Sequence, residues 1–64
     1  MIKINGVEVS ENEIKLSEYL SNNGYITTRI VIEINGEILP RESYNTTVLY
    51  DNDKVEILNF VGGG

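Results

Sequence analysis

Isoleucine and valine fall at every second position in four stretches of this chain. Ile2 and Ile4 alternate with Lys3 and Asn5, and Val7 and Val9 flank Glu8. Ile30, Ile32 and Ile34 alternate with Val31 and Glu33, while Val55, Ile57 and Asn59 alternate with Glu56, Leu58 and Phe60. Successive strand side chains point to opposite faces of a sheet, so each stretch predicts a strand with one buried face. Asn5-Gly6 joins the first two stretches, and Asn35-Gly36 turns the third into Glu37-Ile38-Leu39. Asn-Gly is a strong hairpin signal because a type I′ turn needs φ > 0 at both central residues. Pro40 then ends that pairing, since it cannot donate to a ladder.

Between the second and third stretches the period changes. Leu16, Tyr19 and Leu20 recur at the spacing of an amphipathic helix, predicted over about 14–23. Ser10 to Glu13 is polar and turn-like, and Gly24 after Asn22-Asn23 suits a left-handed helix stop. Tyr25 to Thr28 connects to the third strand. Arg41 to Asn45 reads as a loop or one helical turn, with Tyr44 covering one end of the core. Thr46 to Tyr50 is extended, Asp51-Asn52-Asp53 is a turn, and Lys54 to Val61 is the last strand. A hairpin, a helix and a return to further strands describe an α+β chain of β-grasp, ubiquitin-like architecture. The expectation is a mixed sheet of four to five strands with one packed helix. Ile2, Ile4, Ile32, Ile34, Val55 and Ile57 then face Leu16 and Leu20 across one core. The last strand should lie centrally, parallel to the first.

Composition narrows the chemistry. Sixty-four residues make one domain. The chain contains neither cysteine nor histidine, which removes a thiol nucleophile, thiolate zinc sites and the usual general base. Ten acidic and five basic residues give a net charge of −5, and the basic residues are scattered singly. That balance disfavours nucleic acid and suits a basic protein partner. No apolar run approaches the ~20 residues of a membrane span, and a cytoplasmic protein without a membrane partner is expected. What stands out is the end: Phe60-Val61-Gly62-Gly63-Gly64. The division expected is a domain over 1–61 and a flexible glycine tail over 62–64. A glycine run adds no packing, but it offers a slender thread that could carry an α-carboxylate into a partner's active site.

At this point the chain resembles a known family. Ile34-Asn35-Gly36-Glu37, Leu39-Pro40-Arg41, the run from Leu49 to Ile57 with its Asp51-Asn52-Asp53 turn, and the terminal glycines resemble the ThiS sulfur carriers of bacterial thiazole synthesis. The family often has Asp-Gly-Asp at the turn and two glycines at the tail. Asn52 tolerates a left-handed backbone, and the third glycine lengthens the thread. The resemblance implies that Gly64 is the sulfur attachment site and becomes a thioglycine after activation. Gly62, Gly63 and Gly64 would enter partner active sites. A ubiquitin-activating-like adenylyltransferase would consume ATP, a persulfide donor would supply sulfur, and thiazole synthase would receive it. The carrier itself would be no enzyme, bind no cofactor and hold no metal or catalytic residue.

Other functions share parts of this pattern. A molybdopterin-synthase carrier has the same fold and tail, and a ubiquitin-like modifier also needs an exposed diglycine. A β-grasp module binding RNA or nucleotide predicts a basic face that the composition lacks, and an enzyme in its own right is the least favoured. Asp51 and Asp53 read as turn chemistry rather than a metal loop. Arg41 reads as a surface or loop-anchoring contact rather than an anion site. If Val55 and Ile57 face the helix, alternation puts Leu58 and Phe60 on the opposite side of the sheet. With Val61 they are the expected partner-docking residues, and Val31 and Met1 are candidate neighbours.

Overall fold

The computed structural model describes residues 1–60. Seven strands and one helix run in the order β1 (Ile2–Ile4), β2 (Val7–Val9), β3 (Glu13–Lys15), α1 (Leu16–Asn22), β4 (Ile30–Ile34), β5 (Glu37–Ile38), β6 (Val48–Tyr50) and β7 (Lys54–Asn59). Five of the strands form one mixed sheet in the order β2-β1-β7-β4-β5. The last strand is central, parallel to β1 and antiparallel to β4, as expected. β3 and β6 pair separately as a small antiparallel ribbon.

Both Asn-Gly pairs turn as their φ requirement dictates. Asn5 and Gly6 lie at φ 51° and 82°, and Asn35 and Gly36 at 54° and 87°. Each asparagine has a second task. In a parallel ladder the amide of Ile57 would seek the Asn5 carbonyl, but β1 is already turning away there. The Asn5 side chain takes its place, its Oδ1 accepting from Ile57 N at 2.7 Å. On the other flank Asn35 Oδ1 accepts from Lys54 N at 2.9 Å, while its Nδ2 donates to Asp53 Oδ1 at 2.9 Å. The two hairpins are thus tied to opposite edges of β7 by the residues that make them turn.

The core is the inner face of the sheet closed by α1. Ile2, Ile4, Ile30, Ile32, Val55 and Ile57 are buried with Leu16 and Leu20, and Leu49 and Tyr44 complete the cluster. Tyr44 follows a short helical turn at Arg41–Ser43 and closes one end, as its position predicted. Ile34, expected among the core residues, is only half-buried, because its register lies at the last rung before the turn.

Several boundaries differ from those expected. The helix begins at Leu16, not near Ile14, because Glu13–Lys15 pairs with β6 and Ile14 sits opposite Leu49. The helix is then held where the ribbon ends, with Leu16 N donating to Thr47 O at 3.1 Å. Extended backbone near Thr46 is confined to Val48–Tyr50. The last strand ends at Asn59 rather than Val61, and Asn59 is exposed instead of continuing the inward row. Val61 to Gly64, and with them the expected division at residue 62, lie outside the described residues.

The asparagine contacts give a paired expectation. Asn5→Gly keeps a residue suited to φ > 0 but removes the acceptor for Ile57 N. It should cost about 1–2 kcal/mol, within the range for stranding a partly buried donor. Asn52→Gly, at φ 75° without such a contact to β7, should change stability by less than about 0.5 kcal/mol. Chemical denaturation of the two variants checks this, and equal effects would leave the Asn5 side chain without a special role.

Candidate functional site

The chain leaves the described fold at Phe60, just beyond the central strand. Phe60 N donates to the carbonyl of Arg29, the residue just before β4, at 2.7 Å, so the chain is still guided one residue past the end of β7. The segment that provides this carbonyl is itself anchored, because Arg41 Nε donates to Thr27 O at 3.1 Å. Arg41 therefore makes the loop-anchoring contact its position after Pro40 suggested.

Alternation along β7 separates two sets of side chains. Val55 and Ile57 are buried against α1, whereas Leu58 and Phe60 are 52% and 55% exposed. Val31 is the direct register partner of Leu58 and is half-buried beside it. Val31, Leu58 and Phe60 form an apolar strip that runs toward the tail. Met1 is not part of it. Lys3 pairs with Lys54 in the parallel ladder, so Met1 lies at the opposite end of β7, about 20 Å from Leu58 by the strand rise. The N-terminal ammonium of Met1 instead pairs with Asp51. The hydrogen bond and positive charge of that ammonium hold the exposed Asp51 carboxyl below its ordinary range.

The other outward residues follow from register. Glu33 lies opposite Glu56 on one side and Ile38 on the other, setting a row of Ile38, Glu33 and Glu56 beside the apolar strip. Glu33 and Ile38 were not singled out from sequence. Alternation alone gives their parity, but only the strand order brings them alongside Leu58. Asp53 performs turn chemistry, with Oδ2 accepting from Tyr50 N at 2.8 Å. Among the described residues no cluster of three or more carboxylates, histidines or cysteines is arranged to hold a metal. A larger hollow of about 630 Å³ lies on the helix side near the β2 edge, lined by Glu11, Glu13, Glu18 and Lys15 among others. It lies away from the face that leads to the tail. Of the predicted site residues, Leu58 and Phe60 are thus placed together, while Val61, Gly62, Gly63 and Gly64 lie outside the described residues.

Comparison with known proteins agrees with this geometry. The sequence model of the ThiS family matches residues 1–64. The chain belongs to the ThiS family. It is 32% identical to the sulfur carrier protein ThiS of Bacillus subtilis (strain 168), in an alignment spanning 100% of both chains. The crystal structure of the thiamine biosynthesis protein ThiS of Geobacter metallireducens superposes with a TM-score of 0.76 at 33% identity, covering 98% of this chain and 97% of that one. A third relative has a different form. The thiazole synthase of Paramagnetospirillum magneticum (strain ATCC 700264 / AMB-1) is 40% identical over 45 residues, which are 70% of this chain but 14% of that protein. A segment like this ThiS domain therefore lies within a much longer synthase chain. The expected β-grasp fold and the assignment to the sulfur carriers of thiamine biosynthesis are borne out by these matches.

The two faces of β7 should separate under mutation. Ile57→Ala removes a buried side chain and should cost about 2–5 kcal/mol. Leu58→Ala, one residue on, should cost no more than about 0.5–1 kcal/mol. Thermal and denaturant unfolding of both proteins checks the assignment, which similar losses would reverse.

Proposed function

We propose that this ThiS protein carries sulfur on the carboxyl group of Gly64 and delivers it for construction of the thiazole ring of thiamine. The observation that carries this is the continuity between the central strand and the glycine tail in a chain that aligns end to end with a named sulfur carrier. A carboxylate is a poor acyl donor because oxide is a poor leaving group. A ubiquitin-activating-like adenylyltransferase supplies a better one. A Gly64 carboxylate oxygen attacks the α-phosphate of ATP, pyrophosphate leaves, and an acyl-adenylate remains. The terminal sulfur of a donor persulfide then attacks the acyl carbon and AMP leaves. A thiol cleaves the resulting sulfur–sulfur bond, taking the donor sulfur into a disulfide and leaving a thiocarboxylate on Gly64. The catalytic groups and the nucleotide site belong to the partners, in the cytoplasm, and this chain acts as a protein co-substrate.

The folded surface supplies recognition in this scheme. A glycine thread offers an enzyme few features to select, and ordering it costs conformational entropy. Leu58 and Phe60, with Val61 following, form the docking strip, and Gly62, Gly63 and Gly64 reach the active site. Thiazole synthase is favoured over molybdopterin synthase as the acceptor because a related segment occurs within a chain named thiazole synthase.

Reconstitution tests the scheme. With the cognate adenylyltransferase, ATP, a persulfide donor and a thiol, mass spectrometry should show one oxygen exchanged for sulfur. Deleting Gly64 should abolish the exchange with no change in melting temperature, since glycine contributes no side-chain packing. Leu58→Ala and Phe60→Ala should each weaken docking by about ten-fold, the loss of roughly 1.4 kcal/mol of apolar burial. Sulfur uptake by the truncated chain would move the site away from Gly64. Adducts on partner lysines would favour a protein modifier.

A further inference from the structure

The two exposed apolar residues at the end of β7 are held in place by different means. Leu58 lies within the ladder, where its register partner Val31 sets its position. Phe60 lies beyond the last rung, because β7 ends at Asn59 opposite Ile30. Its side chain is exposed and adds no core packing that would hold it. What holds its backbone is the bond from its N to the Arg29 carbonyl at 2.7 Å. The placement of Phe60 is therefore only as firm as that of Arg29.

Arg29 closes the short helical turn Thr27–Arg29, its N donating to Ile26 O at 2.9 Å. No side chain of this turn is buried. Ile30 anchors it in the core on one side, while Ile26 on the other is exposed. Carbonyls at the end of a helical segment have no partner within it and are satisfied from outside. Arg29 O accepts from Phe60 N, and Thr27 O accepts from Arg41 Nε at 3.1 Å. Arg41 has a firm base of its own, since Tyr44 N donates to Arg41 O at 3.1 Å and Tyr44 is buried. A series of contacts thus runs from the core through Tyr44, Arg41 and the turn to Phe60.

We infer that Arg41 is a positioning residue for docking: through the Thr27–Arg29 turn it holds Phe60 ready at the root of the glycine tail before the adenylating enzyme arrives. This rests on the carrier function proposed above. A side chain already in place loses less conformational freedom on docking than one that must be ordered at that moment. Leu58 gains nothing from Arg41, because the ladder places it. The contribution of Arg41 to binding should therefore pass through Phe60 alone. Glutamine separates this role from a direct contact between the guanidinium and the partner. Its amide nitrogen stands as many bonds from Cα as arginine Nε does, so Arg41→Gln keeps a donor for Thr27 O and removes the charge.

The test uses the full chain, its Arg41→Ala and Arg41→Gln variants, and the cognate adenylating enzyme. In the free protein, the NMR order parameter of the Phe60 amide should be near the rigid-backbone value of about 0.85 and fall below about 0.6 in Arg41→Ala. That of Ile57 should not move, and Arg41→Gln should keep Phe60 ordered. By calorimetry Arg41→Ala should bind the enzyme about five-fold more weakly, the weight of one side-chain hydrogen bond, and Arg41→Gln should bind nearly as the wild type does. The same substitution should cost nothing further in a Phe60→Ala background, yet keep its full effect in a Leu58→Ala background. An unchanged Phe60 order parameter in Arg41→Ala would overturn the inference. So would equal loosening at Ile57, which would make Arg41 an anchor of the whole fold. Binding by Arg41→Gln as weak as by Arg41→Ala, with Phe60 still ordered, would assign the guanidinium to the partner surface instead. A full effect of Arg41→Ala in the Phe60→Ala background would do the same. If the wild type binds the enzyme but gains no sulfur, the carrier function fails, while the role of Arg41 is still decided by these measurements.

Discussion

The central position of β7 is the constraint on which this small fold depends. Flanked by β1 and β4, the strand uses both of its hydrogen-bonding edges within the sheet. Neither flank would be complete through backbone groups alone, because both hairpins turn before the ladder does. Asn5 and Asn35 bridge the shortfall, each adopting the left-handed backbone its turn needs and offering a side-chain oxygen to an amide of β7. Glycine would satisfy the turn and forfeit the acceptor; most other residues would be strained at φ > 0. One residue type therefore serves the local turn and the longest-range pairing in the sheet, between residues 5 and 57.

That arrangement lets a chain of 64 residues divide its labour within a single strand. Val55 and Ile57 face α1 and belong to stability, while Glu56, Leu58 and Phe60 face outward and are free to serve recognition. In a domain with one small core, most apolar side chains are needed inside. Exposed apolar residues at the end of the strand that feeds the glycine tail therefore carry more meaning than scattered ones elsewhere on the surface. The central strand sets the chain's course as far as Asn59, and the Arg29 carbonyl and Arg41 contact extend that control to Phe60. The carrier function proposed above would use this division, with the folded surface identifying the protein to its partners.

Much of the architecture was legible because the local signals agree with one another. The two Asn-Gly pairs, the alternating isoleucines and the change of period at Leu16 each follow from backbone sterics or side-chain direction, and all were met in the structure. The inward and outward parity of Ile57 and Leu58 was equally readable. Non-local pairing was not. Ile14 continues a plausible helical stripe, and only the partner strand at Leu49 converts Glu13–Lys15 into β3. Met1 was misplaced for the same reason, since parity gives a face but not a position along a parallel neighbour. The opposition of Glu33 to Glu56 required the strand order and register together. The chemical end of the site was visible only as composition, three glycines after a strand, and drew its meaning from the family resemblance.

The most direct measurement is top-down mass spectrometry of the chain purified from its own cells while they make thiamine. Fragmentation should place a sulfur-for-oxygen exchange in the fragments that contain Gly64, with every fragment ending before Gly64 unmodified. A chain that carries no sulfur under those conditions, or carries it at any other residue, would contradict the account.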